Sequence, residues 1–257
     1  MPMLESSSEA QVVLDRALEA YGGPDRVRAM SRQFTWVLDG ELVHLNQSPS
    51  ASRSVGTPFT MVLAGDLDAG RFRSDRTGSY PGGFNWRNID VLDSGKTRAA
   101  NIGLGTVVII PGADVANYQA QLERLPQMVL ARLDGQRRGL LWSGELARDG
   151  QAYSVIEAPV NGTTIGRYYF LKSSGLLTDM ERVIGDDYAG DAIVRVRLTD
   201  YRTQGGTMVP GMIEQLIAGS PTMRVRPTTV LLAQAPAGSL FTLPAGLTAT
   251  QRQPPGG

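Results

Sequence analysis

The chain has one histidine, His44, and histidine is the residue type whose unperturbed pKa lies closest to neutrality. His44 is therefore the first candidate for a general base, and Asn46, two residues on in the same predicted strand, carries an amide that could orient a hydroxyl. Recognition of a carboxylate or phenolate would fall to Arg195 and Arg197, whose spacing puts both on one face of a strand. Tyr168 and Tyr169 could donate hydrogen bonds, and Glu157, Asp179 and Glu181 become further candidate bases wherever burial raises their pKa values. The candidate catalytic set is thus His44, Tyr168, Arg195 and Glu157, and the candidate ligand-binding residues are Trp36, Asn46, Met61, Trp86, Tyr169 and Arg197. Such a set points to cofactor-independent acid–base chemistry, a lyase, isomerase or dehydratase acting on a small aromatic or apolar substrate.

Each of these residues also has a plain structural reading. A lone histidine on a strand is commonly structural or exposed. Arg195 and Arg197 can stand in solvent with their stems lying over neighbouring side chains, and Asp179 and Glu181 at i and i+2 are what a wet sheet face displays. A second functional reading is that a curved sheet leaves room between its concave face and the helices, so that the chain binds a hydrophobic or aromatic small molecule, lipid-like or an aromatic acid. Met61, Met128, Met180 and Met212 would supply adaptable walls, and Gly166 would leave space beside Tyr168.

Composition narrows the field. Cysteine is absent, so disulfides, thiolate nucleophiles and Cys lipidation are excluded. One histidine leaves no multi-histidine zinc or iron site, and neither a metal nor an organic cofactor is expected. Lys and Arg number 25 and Asp and Glu 25, so no net field attracts nucleic acid or an anionic membrane. The start, MPMLESSSEAQ, has neither a charged n-region nor an apolar h-region, and no apolar run is long enough to span a bilayer. A cytoplasmic protein without membrane insertion is the expectation, or a periplasmic one if a leader precedes this sequence.

The elements that must position these residues are mostly strands. Ser8-Glu9-Ala10-Gln11 has capping-box spacing and opens a helix over 8–22 that Gly22-Gly23 ends, and a short helix follows from Pro24. RQFTWVLD and ELVHLNQ read as two strands joined by an Asp39-Gly40 hairpin turn, and GSYPGGFNWRN reads as an irregular loop fit for a lid. A helical block over 114–132 is broken or re-initiated at Pro126. From 139 to 235 alternating segments separated by turns predict an antiparallel meander. No glycine fingerprint for phosphate follows a strand. The prediction is one β-rich α+β domain over 1–257, a wide, curved, incomplete barrel covered or plugged by helices, with open edges compatible with a homodimer.

Four stretches together, LDRALEAYGG (14–23), YYFLKSSGLLTDMERVI (168–184), LTDYRTQGGTMVPGMIE (198–214) and GSLFTLPAG (238–246), resemble the LolA/LppX-like outer-membrane lipoprotein carriers. The likeness extends in particular to the carrier-like N-terminal region of some bacterial metallo-β-lactamase-fold hydrolases. It implies a curved incomplete barrel covered by helices, with an inner face that receives acyl chains. Carriers of that family have export signals, the fused hydrolases bring a His-rich metal domain, and the resemblance maps no catalytic residue onto this numbering.

Overall fold

A computed structural model describes residues 7–44, 55–93, 96–111, 118–160, 165–186 and 190–250. The chain begins with α1 (Ser8–Ala20) and α2 (Pro24–Arg32). The cap of α1 lies one residue before the predicted box, where the Ser7 hydroxyl accepts from the Ala10 amide at 3.2 Å. Gly22 and Gly23 take φ of 99° and 93°, which lets the Gly23 amide donate back to Leu18 at 2.9 Å and stops the helix.

β1 (Gln33–His44) pairs antiparallel with β2 (Val55–Asp66). The hairpin expected at Asp39-Gly40 does not form, because both residues lie inside β1, opposite Thr60 and Phe59. An unbroken partner strand outweighs the local turn preference. β3 (Arg71–Ser79) and β4 (Asn85–Asp93) follow, and the predicted irregular stretch shrinks to the turn between them, where the Tyr80 amide donates to the Phe84 carbonyl at 2.9 Å. Trp86 therefore sits on a strand and not in a loop. β5 (Lys96–Asn101) and β6 (Thr106–Pro111) are strands that sequence patterning did not resolve.

Residues 114–117 of the predicted helical block lie outside the described residues, and the rest holds two helices, α3 (Gln119–Leu122) and α4 (Pro126–Gly135), with Pro126 at the first turn of α4. Proline has no amide to lose there, so it starts the helix. Then come β7 (Leu141–Arg148), β8 (Gln151–Pro159), β9 (Ile165–Leu171), β10 (Leu177–Asp186) and β11 (Gly190–Thr199). The short pair β12 (Arg202–Gln204) and β13 (Thr207–Val209) precedes β14 (Met212–Ile217), β15 (Ser220–Leu232) and β16 (Thr248–Thr250).

The chain divides into two compact units, Met1–Ser31 with Glu123–Arg224, and Arg32–Leu122 with Val225–Gly257. In the first the main strands run β7, β8, β9, β10, β11, β14 and the start of β15; in the second they run β16, β6, β5, β4, β3, β2, β1 and the rest of β15. Neighbours with a resolved register are antiparallel except β16 on β6. In neither unit do the outermost strands meet, so the fold is mainly β with helices and its sheet is not closed into a barrel. No helix among the described residues is long and apolar enough to cross a membrane.

Register sorts the first unit's strands into two faces. Trp142, Ile156, Tyr168, Met180 and Val196 stand side by side on one, which α1 and α4 cover with Leu14, Ala17, Leu18, Leu130 and Leu133. Glu157, Arg167, Glu181 and Arg195 stand side by side on the other. In the second unit Phe34, Trp36 and Leu38 are fully buried opposite Gly65, Leu63 and Met61. Glycine is required at 65, since a Cβ there would lie 2.4 Å from the Phe34 ring.

Candidate functional site

In the first unit a crevice of about 360 Å³ runs between α1 and the helix-covered face of β7–β9. Its apolar lining is Val12 and Val13 from α1, Trp142 from β7 and Phe170 from β9, while the Leu171 side chain packs with Tyr153, Val155 and Tyr169 on the other face. The burial of Leu14, Ala17 and Leu18 explains why the two valines are free to line it: the inward stripe of α1 is already filled, and Val12 is left 66% exposed. Its polar lining is Ser8, Glu9, Arg16, Glu145, Lys172 and the buried Ser154, with Lys172 on Glu145 at 2.6 Å. A tight turn closes one end. Gly175 there takes φ 76°, and a Cβ on it would lie 2.9 Å from the Arg16 carbonyl oxygen, so only glycine lets the turn approach α1 this closely.

Next to Phe170 along the same face of β9 stands Tyr168. Its hydroxyl accepts from Arg132 of α4, whose guanidinium also donates to the Pro159 carbonyl at 3.0 Å and lies over the Tyr168 ring. Glu123 is 3.9 Å from Arg132 and is paired with Arg182. Burial raises the Tyr168 pKa, with the Arg132 charge opposing it, so the phenol stays protonated at neutral pH. Gly166 makes the arrangement feasible, because a Cβ there would come within 2.5 Å of the Tyr168 oxygen. Arg132, Glu123 and Arg182 escaped sequence reading. The available signal was a charged residue three positions after the buried Val129 of α4.

The other face holds a separate network. Asp179, with a side chain 3% exposed, accepts from Arg148 at 2.6 Å and Arg195 at 2.7 Å, and Arg197 lies 3.6 Å away. Burial raises the Asp179 pKa against the pull of Arg148 and Arg197. The Tyr169 hydroxyl donates to Glu181 at 2.6 Å, and Arg167 and Ser143 both donate to Glu157, at 2.7 and 3.1 Å. Arg195 and Arg197 are thus engaged in ion pairs and do not simply stand in water. Alternation puts Tyr168 on one side of the sheet and Arg195, Arg197, Tyr169 and Glu157 on the other, so Tyr168 does not share a face with Arg195 and Glu157.

His44 belongs to the second unit, as do Trp36, Met61 and Trp86. Its Nε2 is 2.8 Å from the Thr57 hydroxyl, and its ring centroid is 6.1 Å from that of Tyr80. Tyr80 and Phe59 flank Trp86 at 6.2 and 6.1 Å, and Gly78 leaves the space that the Trp86 ring occupies. Trp36 and Met61 are core residues, 0% and 2% exposed. Asn46 lies outside the described residues. Among the described residues no group of three or more His, Cys, Asp or Glu side chains is placed to hold a metal ion.

Strands in this order, helices on one face and an unclosed sheet can be set against solved structures. A LolA superfamily protein from Nitrosomonas europaea aligns with a TM-score of 0.52 over 91% of this chain and 97% of its own, at 10% identity. A DUF1329 family protein from Desulfovibrio piger aligns with a TM-score of 0.56 over 92% and 98%, at 12% identity. The fold is LolA-like. At these identities the likeness extends to the fold alone. No family model and no curated protein matches the sequence. Neither aligned structure is a metallo-β-lactamase-fold hydrolase, so that part of the sequence resemblance gains nothing from them.

Proposed function

We propose that the chain binds a hydrophobic or aromatic small molecule in the crevice between α1 and β7–β9. One observation carries the reading: Val12, Val13, Trp142 and Phe170 give an apolar wall to about 360 Å³ of space, with Arg16, Glu145 and Lys172 also among the lining residues. A ligand pocket of roughly 300–1,000 Å³ with an apolar wall and a few polar groups is the usual form of a small-molecule site. The LolA-like fold supports a binding or carrier role. It also favours the periplasmic alternative over the cytoplasmic expectation, since carriers of the resembled family are exported. No observation favours the lyase alternative, and within the first unit Tyr168 lies on one face of the sheet and Arg195 and Glu157 on the other.

Titration with the apolar fluorophore 1-anilinonaphthalene tests the site. The chain should bind it saturably, and Val13→Arg, which puts a charge into the crevice, should weaken binding by about tenfold, corresponding to about 1.4 kcal/mol. Unsaturable uptake, or equal affinity in the variant, would remove the crevice as the binding site. Native mass spectrometry of the purified chain would then identify any copurified organic molecule.

A further inference from the structure

On the face of the first unit turned away from the helices, two rows of side chains cross the central strands. The first is Glu157, Arg167, Glu181 and Arg195, directly opposite one another on β8, β9, β10 and β11 and strictly alternating in sign. The second lies two residues along each strand and contains Ile165, Val183 and Ile193. These are 46%, 51% and 53% exposed, on interior strands of the sheet, and with Glu157, Arg167 and Glu181 they border a hollow of about 290 Å³. A contiguous row of large aliphatic side chains in water marks a surface that is covered in use.

We infer that a second copy of this chain covers it, packing face to face about a two-fold axis parallel to the strands. Such an axis reverses the order of a row across the sheet and leaves its height along the strands unchanged. The apolar row then meets the apolar row, as in aligned sheet packing. The charge row meets its own reversal: Glu157 faces Arg195 of the second copy, and Arg167 faces its Glu181. An alternating row with an even number of members is opposite in sign at every position to its own mirror order, so a copy of the same chain satisfies all four charges. A strongly charged partner would be opposed at every second position. The pairs already present, Arg167 on Glu157 at 2.7 Å and Arg195 on Asp179 at 2.7 Å and near Glu181 at 3.5 Å, become links of a continuous network across the interface and need not break. Equal numbers of Lys plus Arg and Asp plus Glu, 25 each, leave no net charge to hold two copies apart.

Sedimentation equilibrium of the full chain over about 10–500 µM, a span that captures weak association, tests this. Wild type should dimerise, and Arg167→Glu and Glu181→Arg should each weaken the homodimer at least about tenfold by setting like charges opposite one another. An equimolar mixture of the two variants should dimerise about as well as wild type, because the changed charges again face opposites. Far-ultraviolet circular dichroism establishes that each variant is folded, and Val183→Asp, which attacks the apolar row, should also give a monomer. A wild type that stays monomeric throughout overturns the inference. So does a mixture that associates no better than its components, or a Val183→Asp dimer as tight as wild type.

Discussion

In the second unit non-strand segments lie over parts of both faces of the strands, although Ile109 of β6 stays 54% exposed. Tyr118 packs on Phe72 and hydrogen-bonds Thr97 on one face, and on the other Phe241, from a 3₁₀ turn at Gly238–Phe241, closes over Ile89, Val91 and Ala100. In the first unit α1 and α4 cover one face, and Ile165, Val183 and Ile193 remain exposed on the other. Strands with apolar residues on both faces occur in each unit. What differs is whether a non-strand segment is delivered to the second face. Phe241 is held there by its backbone neighbours, since Arg73 donates to the Leu240 and Thr242 carbonyls at 2.9 and 3.0 Å, and Arg71 lies over the Phe241 ring. Two-residue periodicity therefore shows that a strand has an apolar side, and the covering segment has to be found elsewhere in the chain.

Removing the cover is the strongest way to break this contrast. Phe241→Ala deletes a side chain that is 3% exposed and should lower unfolding free energy by about 3–4 kcal/mol in urea denaturation. A loss below about 1 kcal/mol would mean that the turn rests on its sheet without stabilising it.

Two aspartates sharpen the contrast electrostatically. On the covered face of the second unit, burial acts to raise the Asp75 pKa, but hydrogen bonds from Arg87 and Arg73 outweigh it and the pKa is lowered. On the open face of the first unit burial wins, and the Asp179 pKa is raised. Asp75→Asn should cost about 2 kcal/mol, less than the loss for a fully buried pair because Arg87 is 44% exposed, and Asp179→Asn should cost less than about 1. Their pH profiles should differ in sign. The Asp75 contribution is complete above the unfolded pKa of about 3.9 and is lost as pH falls through the lower folded value. Asp179 takes up its proton more readily when folded, so a fall in pH through its folded pKa favours the native state. Urea midpoints of the two variants between neutral and acid pH check both statements, and equal slopes would contradict them.

The helix-covered face of the first unit should be as intolerant as the second unit's core. Gly166→Ala places a Cβ 2.5 Å from the Tyr168 oxygen and 2.9 Å from Val160, which should cost about 1–2 kcal/mol and loosen the Arg132 contact. Near-ultraviolet circular dichroism should report the displaced Tyr168, and an unchanged spectrum with full stability would show slack beneath α4.

Much of this arrangement was legible in advance, for reasons that are local. Strands β7 to β11 announced themselves by alternation and by turns such as Ser174-Gly175, and Gly166 next to Tyr168 signalled a space on one face. The Asp39-Gly40 turn misled because a two-residue preference was set against a twelve-residue partner strand, which the sequence around it does not reveal. The crevice was harder still. Val12 and Val13 run directly into Leu14 in the sequence, and only the packed structure shows that Leu14, Ala17 and Leu18 fill the inward side and leave the valines beside Trp142. Arg132 was missed for the same reason, since its partners Tyr168 and Pro159 are distant in sequence.

The smallest effect is the most informative about the open face. Ile193 is 53% exposed, so Ile193→Ser should change the stability of the dilute chain by less than about 0.5 kcal/mol, an order of magnitude below the Phe241→Ala effect. Both residues are large, apolar and set against a sheet, and they differ in whether something lies over them. If urea denaturation of dilute protein gave Ile193→Ser a loss near that of Phe241→Ala, Ile193 would already be buried within the monomer, and the two faces would not differ as described. A small loss when dilute that grows with protein concentration would instead place the missing cover in a second molecule, because only a contact between copies makes apparent stability depend on concentration.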